Sequence, residues 1–217
     1  MEQNIYDKKV VCPVCGSETK IKAPKKGSFR MLKKDSDLMQ NYEGVNPLFY
    51  GIEFCNECGY ASLPAYFNTI RENQKNLIIN NVSLKWKKNL YPDEYTVDVA
   101  IKQHKLALLN AMVKESLPSE KALICLRLSW FYRMKEDNEN ERRFQEQCIT
   151  AFEQAYMSEN LPVGGLDNWT LLYLIGELYR RTGSNEKASS YFSQVLTSTG
   201  APSKIKEMVR DARDLMK

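Results

Sequence analysis

Two different patterns of apolar and polar residues divide the chain. Up to about residue 62, apolar residues occur in short alternating stretches such as 19–22 and 49–54, and helical periodicity is absent. From Pro64 onward, apolar residues recur every three to four positions, which is typical of amphipathic helices. The sequence therefore predicts a small β region followed by a helical region.

The helical region is predicted to contain seven helices. The first covers 64–81, with Ser62 as a plausible N-cap. The others are predicted at about 96–116, 119–135, 139–158, 168–182, 185–198 and 203–216. Turn-forming residues such as Pro118, Gly183 and Pro202 lie in the breaks between them.

The helices at 168–182 and 185–198 match the spacing of a tetratricopeptide repeat. In that repeat two antiparallel helices meet through small and large apolar residues at fixed offsets. Gly176 and Ala188 occupy the offsets of closest approach, and Tyr179 and Phe192 fill the space beside them. The two preceding helices form a weaker copy, and the last helix has the amphipathic stripe of a solenoid cap.

Two Cys-x-x-Cys-Gly turns carry the strongest chemical signal. They contain Cys12 and Cys15, then Cys55 and Cys58, with 39 residues between the pairs. Four thiolates are the ligand set of a tetrahedral structural Zn²⁺ site, and the following glycines allow the positive φ that such turns need. The spacing exceeds that of compact zinc ribbons, so we expect a long insertion. Two separate redox turns, or an iron site, are the alternatives.

The remaining candidate nucleophiles favour a structural interpretation. Cys125 and Cys148 fall where the helical pattern expects small buried residues, and His104 falls at a packing position. A single histidine argues against Ser-His or Cys-His catalysis, and no glycine-rich phosphate loop is present. The sequence offers no support for nucleotide chemistry.

Charge is distributed unevenly along the chain. Residues 1–91 hold 14 Lys/Arg against 9 Asp/Glu, whereas 92–217 hold 17 against 18. The segment 20–34 alone contains seven basic residues and no acid, with Phe29 among them. Such a segment can contact phosphates and stack on a base, so nucleic-acid binding is an alternative function, although a solvated loop is the simpler interpretation.

The cellular location is predicted from the lack of long apolar stretches and from the pairing of the cysteines. No stretch of about 18 uncharged apolar residues occurs, and the first residues contain no apolar leader. Four of the six cysteines lie in metal-type pairs, which favours a reducing compartment. We expect a cytoplasmic protein without membrane contact.

A partner-binding groove is predicted on the helical region. The first helix of each tetratricopeptide pair lines the concave face, and its polar and aromatic side chains would point there. These residues are Trp130, Arg133, Tyr173, Glu177, Arg180 and Arg181. Trp, Tyr and Arg dominate binding hot spots. We therefore expect a protein or peptide partner in this groove.

Between the cysteine pairs lies a distinctive polar loop motif. Its members are Arg30, Lys33, Asp35, Asp37, Tyr42, Asn46 and Tyr50. Together with the four cysteines this motif resembles the bacterial DUF2225 family of uncharacterised proteins. The resemblance implies no activity, but it implies that the motif is a family feature. Asp35 and Asp37 could act as acid and base in an enzyme, although a turn or an ion pair with Arg30 or Lys33 is the simpler interpretation.

These observations predict an α+β, mostly α architecture. We expect a zinc-ribbon-like β module at 1–63, a connecting helix and linker at 64–92, and a tetratricopeptide-like helical domain at 93–217. The predicted function is that of a non-catalytic interaction protein, because zinc modules and helical repeats both build binding surfaces.

Overall fold

Three β-hairpins precede a helical region in this computed structural model, which describes residues 4–216. Residues 1–3 and 217, the outer ends of the predicted first and last domains, lie outside the described residues. Within that range the chain forms six short strands, all in antiparallel pairs, and eight α-helices. The predicted α+β, mostly α architecture is confirmed.

Each hairpin pairs consecutive strands. The pairs are β1 (Ile5–Val11) with β2 (Glu18–Pro24), β3 (Phe29–Lys34) with β4 (Gln40–Gly44), and β5 (Glu53–Phe54) with β6 (Ala61–Ser62). Ile5 lies opposite Pro24 and Val11 opposite Glu18, so the first Cys-x-x-Cys turn closes β1 and β2. The second turn closes β5 and β6. Both candidate metal-binding turns are therefore hairpin ends.

The stretch predicted as a strand at 49–54 is a strand only at its end. Pro47–Tyr50 form a 3₁₀ turn instead, because the Asn46 side chain accepts a hydrogen bond from Leu48 N at 3.1 Å. Pro47 follows this cap at a position where no N–H is needed. β5 begins at Glu53.

The first predicted helix is divided in two. α1 covers Pro64–Phe67 and α2 covers Glu72–Asn81. Ser62 is not the cap: it lies in β6, and its Oγ donates to Glu120 at 2.7 Å. The remaining helices are α3 (Val97–Val113), α4 (Pro118–Met134), α5 (Asn138–Ser158), α6 (Asn168–Arg181), α7 (Asn185–Thr197) and α8 (Ser203–Asp214).

Neighbouring helices pack in sequence order. α4 packs against α5 and α6 against α7, while α8 contacts both α6 and α7. A Cβ added to Gly176 would lie 2.7 Å from the Phe192 ring, so only glycine permits this approach. Ala188 is fully buried in the same contact region. The helix pairing agrees with the predicted spacing, and the assignment to tetratricopeptide repeats stays a prediction.

The β region and the helices share one core. Buried apolar residues form a single cluster that runs from Val10 to Ala212. At the junction the Phe49 ring meets the edge of Phe131 on α4, with centroids 5.8 Å apart. β6 and the 3₁₀ turn both contact α3. The three domain ranges stay a prediction.

Candidate metal centre and the contacts of the loop motif

The four cysteines of the two turns come together at one point. All four Sγ atoms lie within 4.8 Å of one another. Cys12 and Cys58 are 3.6 Å apart at sulfur, and so are Cys15 and Cys55. Tetrahedral Zn–S bonds of about 2.3 Å place the sulfurs about 3.8 Å apart. The four thiols therefore fit a tetrahedral metal ion.

The two turns repeat one backbone geometry. Gly16 N donates to Cys12 O and Gly59 N to Cys55 O, both at 2.9 Å. The two glycines have φ values of +75° and +76°, a region that side chains rarely adopt. A Cβ on Gly59 would also lie 2.6 Å from the Trp86 ring. Each turn thus presents its two sulfurs in the same way.

Protonation of the thiols is set mainly by their neighbours. The hydrogen bond with Cys12 lowers the pKa of Cys55 and raises the pKa of Cys58, while the contact with Cys55 raises the pKa of Cys12. A metal ion coordinated by all four sulfurs must displace the remaining protons. We therefore expect metal affinity to fall as the pH falls.

The donor set limits what the metal can do. Zn²⁺ and iron both accept four thiolates in tetrahedral geometry. Cys12, Cys55 and Cys58 are buried, and Cys15 is exposed at the surface. With four protein ligands no coordination position remains for water or substrate, so such a metal would hold the two hairpins together.

Asp37 of the loop motif is a buried anchor on the helices. Its side chain is fully buried and accepts a hydrogen bond from Trp130 Nε1 at 3.0 Å. Arg133 donates to both of its carboxylate oxygens. Burial would raise the pKa of Asp37, but the hydrogen bonds and charge of Arg133 outweigh it and keep the pKa below its ordinary value. Asp37 is thus an ionised carboxylate held by the helical region.

Ser36 continues this contact onto α6. The Tyr173 hydroxyl donates to Ser36 O at 2.7 Å, and Ser36 Oγ donates to Glu177 Oε1 at 2.6 Å. Glu177 is fully buried and also accepts from Arg180 and Arg181 at 2.7 to 2.8 Å. The six residues predicted to line a partner groove therefore contact the chain's own segment 35–39, or support residues that do.

Other motif residues have local partners. Lys33 Nζ lies 3.8 Å from Asp35, and Arg30 pairs with Glu43 at 3.5 Å. Neither of the two cations pairs with Asp37, whose partners Trp130 and Arg133 lie on α4 and whose more distant partner Arg181 lies on α6. Of the predicted ion pairs, only the one between Lys33 and Asp35 is present, and Asp35 also lies 3.6 Å from Arg133.

Asn46 and Tyr50 support the turn around residue 47, and Tyr42 packs within the β3–β4 hairpin. Asn46 caps it, as described above, and Tyr50 stacks on Tyr95 with ring centroids 4.8 Å apart. Tyr95 N also donates to the Tyr50 hydroxyl at 3.0 Å. Tyr42 packs its ring against the edge of Phe29. These contacts give the motif a role in shaping the loop.

The sequence interpretation missed a buried ion pair at the same junction. Lys114 Nζ lies 3.0 Å from Glu120 Oε1, and both side chains are 4% exposed. Glu120 also accepts from Ser62 of β6. Lys114 and Glu120 lie at either end of the short connection between α3 and α4. Their closeness in sequence is the one signal that could have suggested their pairing.

Comparison with known proteins identifies the family. Residues 5–216 match a family described as uncharacterised protein conserved in bacteria, DUF2225. The chain belongs to the DUF2225 family. An uncharacterised protein of Borreliella burgdorferi is 30% identical over 80 residues, which cover 33% of this chain and 29% of that protein. The aligned part thus spans less than a third of that relative, and no solved structure matches the chain.

The DUF2225 match confirms the resemblance drawn from the cysteines and the loop motif. It extends through the helical region to residue 216, further than the motif alone indicated. Across the described residues, no helix combines the length and apolar character needed to cross a membrane.

Proposed function

We propose that this DUF2225 protein is a non-catalytic binding protein in which one structural Zn²⁺ organises the N-terminal hairpins and the helical region contacts a protein partner. The carrying observation is the closed set of four sulfurs within 4.8 Å. A reduced thiol cluster of this kind also supports a cytoplasmic location.

The state of Asp37 and His104 supports a non-catalytic role. Asp37 is fully buried in hydrogen bonds and ion pairs, so it has no free oxygen facing solvent. His104 is fully buried, and burial lowers its pKa to about 3. A general acid or base must reach its substrate and titrate near the working pH. Neither residue meets both conditions.

Metal analysis of the purified protein tests the zinc site. We expect about one equivalent of zinc in the wild-type protein and much less in Cys55→Ser. Cys125→Ser is the matched control, because Cys125 is also buried but lies outside the cluster. A full equivalent in Cys55→Ser would refute the four-cysteine site, and iron in the wild-type protein would replace zinc in the proposal.

The helical face with Trp130 and Tyr173 is already covered by the segment 35–39, which limits where a partner can bind. A partner could reach Trp130 or Tyr173 only by displacing the segment 35–39, since their exposed fractions are 8% and 1%. We therefore place the contact on the opposite side of α4, where α3, α4 and α5 enclose a surface pocket of about 450 Å³.

This pocket combines apolar and basic side chains. Met112 is 63% exposed at its edge, and Leu108 and Ala151 line it. Lys121 and Arg143 lie on its wall against the single acid Glu146. We propose an apolar partner segment that carries an acidic side chain, because this charge balance favours it.

A matched pair of variants tests this surface. Met112→Glu places a negative charge in the pocket, whereas Met157→Glu makes the same change at a methionine that is 84% exposed on α5 outside the pocket. After capture from the host, the purified partner should bind Met112→Glu at least about tenfold more weakly than the wild type, and Met157→Glu normally. Equal binding by both variants would refute the proposed surface.

Nucleic-acid binding is the second candidate, favoured by one observation. Lys20, Lys25, Lys26 and Lys34 are exposed, and none forms an ion pair within residues 4–216. Binding through them would weaken steeply between 50 and 200 mM salt. Fluorescence anisotropy with single-stranded RNA and DNA measures this, and absence of binding at low salt would remove the candidate.

A further inference from the structure

Among residues 4–216, Arg127 on α4 is a cation without a carboxylate counter-ion. The described residues include four arginines that are not exposed, and three of them, Arg133, Arg180 and Arg181, pair with carboxylates. Arg127 has no carboxylate within 4.0 Å among residues 4–216. Arg127 is half-buried, and partial withdrawal of a cation from water without a counter-ion is costly, so this exception calls for an anion.

The guanidinium is held beside the turn of the loop motif. Arg127 Nη1 donates to Gly51 O at 3.0 Å, the residue directly after the Pro47–Tyr50 turn. A Cβ on Gly51 would lie 2.6 Å from that nitrogen, so glycine permits the approach. A guanidinium has five N–H donors, and no other hydrogen bond of Arg127 occurs in the described part of the chain. Four donors therefore remain for a ligand.

A buried nitrogen without a partner in the described part of the chain lies on the neighbouring helix, α3. His104 Nδ1 donates to Ala100 O at 2.8 Å, which leaves Nε2 as an acceptor, and Nε2 has no partner among residues 4–216. Gln103, the preceding residue, is also fully buried, and its side chain neighbours Tyr95. The His104 ring packs on Phe131, one turn beyond Arg127 on α4, with centroids 4.8 Å apart.

The charge of Arg127 acts on two neighbouring side chains, His104 and Tyr42. Burial, followed by the charge of Arg127, lowers the pKa of His104 to about 3, so the imidazole is neutral and does not share the role of cation. Burial raises the pKa of Tyr42, and Arg127 partly opposes that rise. Both rings therefore lie within the field of the guanidinium.

We propose that Arg127 binds a small oxyanion, a carboxylate or phosphate group, where α3, α4 and the Pro47–Tyr50 turn meet. The planar guanidinium matches two oxygens of such a group, and the anion supplies the missing charge. A protonated phosphate oxygen could also donate a hydrogen bond to His104 Nε2, which is an acceptor without a donor among residues 4–216. The proposal is independent of the zinc and partner sites, because Arg127 belongs to neither.

Equilibrium dialysis of the zinc-loaded full chain tests this site, with inorganic phosphate in one arm and acetate in the other. The protein is first dialysed into chloride buffer, and ionic strength is held constant. We expect saturable binding of about one equivalent in at least one arm, and the arm that binds identifies the chemical class. Arg142→Met is the control, because Arg142 is exposed and pairs with Glu146.

Arg127→Met should abolish the binding, and Arg127→Lys should weaken it about tenfold, since lysine keeps the charge but loses the two-pronged geometry. Arg142→Met should bind as the wild type does. Failure of the wild type to bind either anion would overturn the proposal, as expected if water alone fills the site. Arg127→Lys retains the cation and serves as the test variant if Arg127→Met does not fold. Wild-type affinity in Arg127→Lys would overturn two-pronged binding.

Discussion

Asp37→Asn provides the most direct test of how the loop motif is attached to the helices. Asparagine keeps the size of the side chain but removes the charge opposite Arg133. Removing one partner of a buried ion pair costs about 3–5 kcal/mol. Arg133 keeps a second carboxylate, Glu141 at 2.7 Å, so we expect the lower end, about 3 kcal/mol.

Urea unfolding of the zinc-loaded protein measures this loss. With a slope of about 2–3 kcal/mol per molar, a loss of about 3 kcal/mol moves the midpoint down by about 1 M or more. Arg142→Ala is the control, because its pair with Glu146 is exposed and worth less than about 1 kcal/mol. A free energy of unfolding for Asp37→Asn within about 0.5 kcal/mol of the wild type would refute the anchoring role.

The same variant predicts a pH dependence. Because the folded pKa of Asp37 is lowered, its stabilising contribution is present above the unfolded value of about 3.9 and is lost as the pH falls through the folded value. The stability difference between wild type and Asp37→Asn should therefore be constant near neutral pH and shrink below about pH 4. A difference that persists unchanged at pH 3 would contradict ionisation of Asp37.

Three further predictions concern the metal turns and the helix contact. Cys55→Ser should lose the metal and the cooperative unfolding of the β region, seen by near-ultraviolet circular dichroism, and an unchanged spectrum would contradict this. Gly59→Ala should destabilise by about 1–3 kcal/mol in thermal unfolding, because the new Cβ meets Trp86 at positive φ, whereas a neutral result would contradict the close contact. Gly176→Ala should cost about 1–3 kcal/mol through its contact with Phe192, and an unchanged melting temperature would show that the helices can separate.

Local spacing explains which features could be predicted from the sequence. Helical periodicity persists over several turns, so it predicts a helix at 168–182. In the structure α6 covers Asn168–Arg181. The four cysteines can be grouped from the sequence because a tetrahedral metal site requires four ligand atoms, and two Cys-x-x-Cys turns supply four sulfurs. By contrast, the alternation at 49–54 predicts a strand, although Asn46 and Pro47 signal a capped turn.

Long-range polar pairing explains what could not be predicted. Asp37 and Arg133 are 96 positions apart, and nothing in the spacing of either segment specifies the other. The periodicity indicates which helical side chains share a face of their helix. It did not indicate that the chain's own loop would cover them, because that depends on where the insertion folds. Arg127 shows no signal at all, since a missing partner is visible only in three dimensions.

The spacing of the cysteines has a consequence for the thermodynamics of metal binding. A metal ion that joins Cys12 to Cys58 closes a loop of 46 positions, and closing a loop costs more conformational entropy the longer it is. Asp37 fixes the middle of that same loop and so divides it into two shorter ones. Metal affinity and the Asp37 contact should therefore reinforce each other reciprocally, although no atom of Asp37 belongs to the ligand set. Asp37→Asn should bind zinc more weakly than the wild type for this reason alone.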